Sequence, residues 1–426
     1  MADRNWLTLS GNEIVNTARA QAYASGAEES DAGCGGSGSI GCACPGLGQA
    51  VQGGDFEGYV DPVIDDAPWI EPTVPTSAEF LGVVGIETEG LSNGTMTRTP
   101  TELAAGGANI GTPRFNHREV TWTVVLVARS QAGLSYGLSW LSAALRDSGC
   151  GSSQCWGGES CVFAWCPNSE EEGDQAQRIL YDTGLMEGPT VTEEFHSHGG
   201  TWFATVEFTL VHGVPWLFGL PYISLDTDDS TEEVVVVPPG GPQVECEDAL
   251  PCRADPDCPP PPLPPRPPQP VDPCWPLTQF RAVRHVFTIP PPQVASWFTT
   301  VPVVRVHSGD SPLRRLSVRF YANPTGSDCS RWTDRCAACG EVNIAYIPPE
   351  TELVLDGRRK RSQMDCSGGR GLSLSTPIPY GPNGGLFVWP EMECASGMCV
   401  EVLWQQSGAS PDAQVEVEMV QRMEAV

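Results

Sequence analysis

Gly133-Leu134-Ser135-Tyr136-Gly137 has the spacing of a nucleophile elbow, a serine between glycines on a tight strand-to-helix turn. It does fall between a strand pattern and a helix pattern. However, about five residues separate the end of the strand pattern from Ser135, and the chain lacks the repeated βα units of a parallel hydrolase sheet. The preferred reading is a helix entry with Gly133 freeing the backbone. His196-Ser197-His198 would put two imidazoles on one face of a strand, as a metal pair requires, but spacing locates no carboxylate or thiolate to join them. Asp226-Thr227-Asp228-Asp229 opens like a calcium loop without its glycine and terminal glutamate, and reads as a solvated acidic loop.

The cysteines carry more signal. Cys150, Cys155, Cys161 and Cys166 crowd one loop, and Cys329, Cys336 and Cys339 gather in another, with Cys336 and Cys339 at zinc-knuckle spacing. Four thiolates suit zinc or an iron–sulfur cluster, yet zinc sites usually have two C-x-x-C pairs and only one occurs here. Disulfides or free thiols are the first reading and metal the second; Cys394 and Cys399 flank a turn and could close a small loop. No catalytic, cofactor-binding or metal residue is assigned, and the chain is expected not to be an enzyme.

The elements around these residues are clearer. In His117–Ala128, Val120, Trp122, Val124 and Leu126 point one way and Val125 and Val127 the other, which predicts a central strand covered on both faces. Leu134, Leu138, Leu141 and Leu145 form one apolar stripe, predicting a helix over 134–146 that lies on that sheet. Trp202–Leu210 alternates strictly and predicts a second strand. Nearer the start, Ser10-Gly11-Asn12-Glu13 reads as a capping box ahead of a short helix carrying Ile14 and Val15, and Phe80–Ile86 as a strand. From Trp275 onward no helical period competes. Short β patterns recur at Ala282–Ile289, Val301–Val306, Leu316–Tyr321, Val342–Ile347, Glu352–Leu355, Leu386–Trp389, Val400–Trp404 and Gln414–Val420, with an Asp356-Gly357 turn after the fifth.

The expected fold class is mainly β (α+β), in four segments. Residues 1–76 are an extended N-terminal arm with a short helix, 77–225 a β-barrel or sheet domain carrying helix 134–146, 226–274 an acidic and Pro-rich linker, and 275–426 a β-sandwich. The run PPPPLPPRPPQP in the third segment suits polyproline II, a semi-rigid spacer. With 46 glycines and 40 prolines among 426 residues, turns are plentiful. Neither an apolar run near the roughly 18 residues of a membrane span nor a secretory leader is visible. The net charge of −29 sits in the first two-thirds: residues 1–274 hold 38 acidic and 10 basic side chains, residues 275–426 hold 15 and 14. Such a surface repels phosphate backbones, so no nucleic-acid partner is expected. Seventeen cysteines without a leader suggest thiols that oxidise after release from a cell, or metal.

Several stretches resemble the minor tail proteins of actinobacterial siphophages, of the distal tail (Dit) class. They are Asn5–Tyr23, Cys42-Ala43-Cys44, Tyr59–Pro62, Asp66–Trp69, Phe80–Gly82, Gly137–Leu141, Cys166-Pro167, Arg178–Leu180 before Gly188-Pro189, Phe208 leading to Gly213–Pro215, and Ile347–Gly357. The resemblance implies a split-barrel domain with a packed helix and a galectin-like sandwich. It also implies a homo-oligomeric ring, six-fold by resemblance alone, that joins the tail tube protein to the tip hub and other minor tail proteins in the virion. It implies no cofactor and no membrane insertion. The alternative is a tail-associated carbohydrate-binding adhesin, in which Trp275, Trp297, Trp332, Trp389 and Trp404 of the sandwich stack on a host-surface glycan; the bland reading of these tryptophans is core.

Overall fold

The computed structural model describes residues 4–25, 44, 46–146, 158–197, 200–237, 280–292, 298–323, 325–331, 338–366, 373–374, 379–381, 387, 389–390 and 397–424. The protein is mainly β, in two compact units: Met1–Leu220 with Met423–Val426, and Pro221–Arg422.

The first unit opens with a hairpin rather than a capped helix. Strands β1 (Trp6–Leu9) and β2 (Asn12–Asn16) pair antiparallel across Ser10-Gly11, both at positive φ, the geometry of a two-residue hairpin turn. The β-branched Ile14 and Val15 go into β2, and helix α1 (Thr17–Ser25) starts only after Asn16, whose side chain accepts from the Arg19 amide at 3.0 Å.

The segment read as an arm is built into this unit over its described part. Helix α2 (Leu47–Gln52) and the turns after it bury Leu47, Tyr59 and Trp69. Trp69 donates its indole N–H to the Phe80 carbonyl at 2.9 Å. Beneath them a polar knot holds α1: Arg19 pairs with Glu13 at 2.8 Å and stacks on the Tyr59 ring, and Asn16 donates to Glu13 and to the Tyr59 hydroxyl. Burial raises the Glu13 carboxyl, with Arg19 and Asn16 opposing. Sequence spacing could not show this anchoring, because the aromatic residues that supply it are spread through a Gly- and Pro-rich stretch.

Strand β3 (Phe80–Glu89) is followed by a projecting tongue made of β4 (Met96–Thr97), β5 (Pro100–Glu102), β6 (Ala108–Ile110) and β7 (Arg114–Phe115), which pair only among themselves. Strand β8 (Arg118–Ala128) is central as expected, with β3 on one side. Helix α3 (Gln131–Arg146) follows, burying Leu134, Leu141 and Leu145. Strand β9 (Gly158–Phe163) and helix α4 (Glu170–Ala176) lead to β10 (Gln177–His196), the longest strand. Its sequence hides it: Gly184, Gly188-Pro189 and Glu193-Glu194 break the alternation. The first part of β10 pairs with β9, and from Thr183 to His196 it pairs with β11 (Trp202–His212), whose eleven residues all pair with β8. The sheet β3-β8-β11-β10 carries α3, and β2-β1-β9 continues from the start of β10.

The chain leaves the first unit within β12 (Leu217–Leu225). The second unit is an antiparallel sandwich. Its strands are β13 (Thr231–Val237), β14 (Phe280–Ile289), β15 (Thr299–His307), β16 (Leu313–Asn323), β17 (Gly340–Ile347), β18 (Thr351–Asp356), β19 (Arg361–Cys366), β20 (Ser373–Leu374), β21 (Gly397–Gln405) and β22 (Gln414–Met423). One sheet runs β13-β14-β21-β16-β17 and the other β22-β15-β18-β19-β20. Phe287, Ile289, Val304, Val306, Val318, Phe320, Val400 and Val417 fill the space between them. The other expected strands of the sandwich appear; of Leu386–Trp389, Leu386 and Val388 lie outside the described residues, and Phe387 and Trp389 pack on the core.

The expected linker is corrected by this topology. Val237 and Phe280 are register partners in β13 and β14, so the Pro-rich segment joins neighbouring strands of one sheet, and Thr231–Val237 belongs to the sandwich. Residues 238–279 themselves, with the proline run and Trp275, lie outside the described residues, as do Trp297, Trp332 and residues 26–43 of the expected arm.

Among the described residues no helix is long and apolar enough to cross a membrane.

Candidate assembly surface

The glycines of Gly133–Gly137 serve packing. A Cβ on Gly137 would sit 2.4 Å from the Phe80 ring, and one on Gly133 2.8 Å from the Glu79 backbone. They let α3 approach β3, while Ser135 lies exposed inside the helix, its carbonyl accepting from Ser139. His196 ends β10 and stacks on Trp202 at 5.2 Å; His198 lies outside the described residues. Asp226 caps a single turn at Thr227–Asp229 through the Asp228 amide.

Cysteine chemistry resolves in part. Cys44 bonds Cys166, tying the turn before α2 to the loop after β9, and Cys161 is free and half-buried in the same apolar cluster. Cys399 bonds Cys329 rather than Cys394, because residue 399 faces outward from β21 beneath the turn at Cys329–Arg331. Cys339 is disulfide-bonded as well, so it is no zinc ligand. Cys150, Cys155, Cys336 and Cys394 lie outside the described residues, and among those described no three His, Cys, Asp or Glu side chains converge to hold a metal ion. Of the five sandwich tryptophans, Trp404 is core, stacked on His285 at 4.7 Å, and Trp389 packs beside Phe387.

The feature that the motifs missed lies along β10. Strand β9 stops opposite Thr183, so from Glu187 to His196 one edge of β10 has no neighbouring strand among the described residues. Met186 is 54% exposed, Val191 44% and Phe195 40%, and the stacked pair Phe195–Phe203 closes the hairpin end. Glu187, Glu193 and Glu194 make this stretch acidic. A long, exposed, partly apolar edge is a template for another strand. The tongue is its counterpart in chemistry. Met96, Leu103, Ile110 and Phe115 are exposed on it, and it carries Arg98 and Arg114 in a unit poor in cations. A two-stranded ribbon is marginal in water alone, so apolar side chains on one argue for a surface to lie against.

Two buried polar centres support the units. In the first, the guanidinium of Arg118 donates to the carbonyls of Gly90, Leu91, Asn93 and Pro215 at 2.8–3.0 Å and to that of Glu424. It fixes the root of the tongue. Opposite it on β11, His212 bonds Thr183 at 2.8 Å, and burial, with Arg118 adding repulsion, pushes its pKa down to about 3. The folded state therefore keeps His212 neutral while the unfolded chain protonates it near 6.5, so the stability tied to the neutral ring is full above that pH and falls as pH drops toward 3. Between pH 7 and 5 urea unfolding of the first unit should lose about 2 kcal/mol that His212→Gln does not lose; equal slopes in both proteins would show that the imidazole contributes nothing.

In the second unit a row of charges crosses the outer face of the five-stranded sheet. Glu233 pairs with Arg284, Arg284 with Glu401, Glu401 with Arg319 at 2.9 Å, and Arg319 with Glu341 at 3.4 Å, while the Tyr321 hydroxyl donates to Glu401 at 3.0 Å.

No protein-family model matches the sequence, and no curated protein matches it. Solved structures that the chain is similar to include the Dit protein (gp 19.1) of SPP1, described as a paradigm of the hub adsorption apparatus in phages infecting Gram-positive bacteria. It is 11% identical, with 80% of this chain and 94% of that chain covered and a TM-score of 0.34. Another is a carbohydrate-binding module of the β-sandwich superfamily, 8% identical, with 80% and 98% covered and a TM-score of 0.15.

Proposed function

We propose that this chain is a structural subunit of a siphophage tail tip, of the distal tail class, that assembles into a ring between the tail tube and the tip hub. Its role is non-enzymatic, and its place is the virion. The observation that carries the reading is the edge Glu187–His196, unpaired among the described residues, together with a tongue of opposite charge on the same unit. Such surfaces fit head-to-tail, the tongue of one copy on the edge of the next, and a heterologous contact of this kind closes into a ring when its rotation permits. The sequence resemblance to distal tail proteins supplies the position in the particle and the six-fold symmetry.

Light scattering and negative-stain images of the full-length protein, alone and with tail tube protein, test this. A ring is expected, and Val191→Lys with Phe195→Lys, both at exposed positions, should leave folded monomers. Arg98→Glu with Arg114→Glu should weaken the ring, and Glu193→Arg with Glu194→Arg should restore part of it. A protein that stays monomeric with tube protein present, or rings indifferent to all these changes, would overturn the proposal.

A further inference from the structure

Arg178, near the start of β10, is 9% exposed, yet no carboxylate pairs with it among the described residues. Other buried arginines are compensated. Arg19, Arg284 and Arg319 each face a glutamate, and Arg118 is served by five carbonyls. Arg178 has two: its Nη1 donates to the carbonyls of Gln175 and Gln177, each at 2.7 Å, at the end of α4. Its Nε is buried without an acceptor, and Nη2 has none among the described residues. Acids on the neighbouring helix are engaged elsewhere, Glu170 by the Gly54 amide and Glu172 by the Asn168 amide, both at 2.8 Å. Burial alone acts on the guanidinium and lowers its pKa to about 10, so it keeps its charge at neutral pH.

The Trp165 ring covers one face of this group, with Cζ 5.2 Å from the ring centroid, and is itself 44% exposed. Such stacking attracts the cation but leaves its in-plane donors unanswered. The donors left over, Nε–H and one N–H of Nη2, are parallel and spaced like the two oxygens of a carboxylate. A phosphate would suit the same fork, but its second charge is repelled more strongly by the acidic surface of residues 1–274. An arginine beside a half-exposed tryptophan is also the composition of an interface anchor, in which the ring takes an apolar neighbour and the fork a charge. We propose that Arg178 and Trp165 form a docking site for a neighbouring protein, taking one aspartate or glutamate side chain on the guanidinium and an adjoining apolar side chain on the indole. This surface is separate from the Glu187–His196 edge and the tongue, so failure of ring assembly would leave the proposal standing.

The test follows the Arg178 Nε–H signal in proton–nitrogen NMR spectra of the full-length protein. The signal is assigned by its absence from Arg178→Lys and by its ring-current shift in Trp165→Ala, a change at an exposed position. Acetyl-Leu-Glu-amide should move it at millimolar concentration, and acetyl-Leu-Gln-amide, the neutral isostere, should bind at least about tenfold more weakly. Trp165→Ala should weaken the glutamate probe by about two- to fivefold. Thermal melting confirms that the variant folds. No shift with the glutamate probe, a shift with inorganic phosphate alone, equal binding of the two peptides, or binding unchanged in folded Trp165→Ala would each overturn it.

Discussion

Replacing Arg118 by methionine should lower the melting temperature of the first unit by roughly 10 °C and leave the sandwich transition in place. The side chain is about 1% exposed and serves five carbonyls drawn from three distant stretches, residues 90–93, 215 and 424. Burial lowers its pKa, with the Glu424 carboxylate opposing, so the guanidinium stays charged only because the carbonyls replace its water. Methionine keeps much of the volume and abandons every acceptor. With each stranded group costing about 1–3 kcal/mol and part of the loss recovered by water, a net of about 3–5 kcal/mol is expected. At about 2–4 °C per kcal/mol for a unit of this size, that is the stated shift. Lysine, a single-point donor, should rescue only part of it. A shift below about 2 °C in Arg118→Met would mean that the cluster is decorative.

That arginine also shows where the sequence stops being legible. The strand pattern at His117–Ala128 announces β8 and its two buried faces, and the Leu134–Leu145 stripe announces α3, because each is a local period imposed by one buried surface. Arg118, at the end of the same strand, looks like a solvated charge, since its acceptors lie 25 to 306 residues away. The sandwich strands were legible for the same reason as β8. Their outer face was not: Glu401, Arg319 and Glu341 are each one polar letter in an alternating strand, and only the registers Arg319↔Glu401 and Arg319↔Glu341 turn them into a row. The hairpin at Ser10-Gly11 was misread because four residues of capping-box sequence also satisfy a tight turn, and the pairing of β1 with β9, far along the chain, decided between them. The edge of β10, unpaired among the described residues, escaped because an edge is defined by what lies beside it, which no single segment encodes.

Glu401→Leu should destabilise the sandwich by about 3–5 kcal/mol, although leucine is the better core residue. The glutamate is about 4% exposed and accepts from Arg284, Arg319 and Tyr321 at once. Removing it takes a carboxylate away from two buried guanidinium groups, leaving Glu233 and the Ser330 carbonyl on Arg284 and Glu341 on Arg319. Desolvation lowers both arginines, but Glu401 with Glu233 at Arg284, and Glu341 with Glu401 at Arg319, outweigh it, so their pKa values stand above the usual range rather than below it. A base with a raised folded pKa contributes stability that is full below its unfolded pKa and is lost only in strong alkali, so the two arginines add no pH dependence between pH 5 and 9. Breaking a buried row and replacing it are different experiments. Arg284→Met, Arg319→Met and Glu401→Leu together should cost far less than Glu401→Leu alone, because no charge is left behind, and chemical denaturation of the single and triple variants measures the difference. If the triple variant is at least as damaged as the single one, the row is held by packing around the Cys329–Cys399 disulfide and not by its charges.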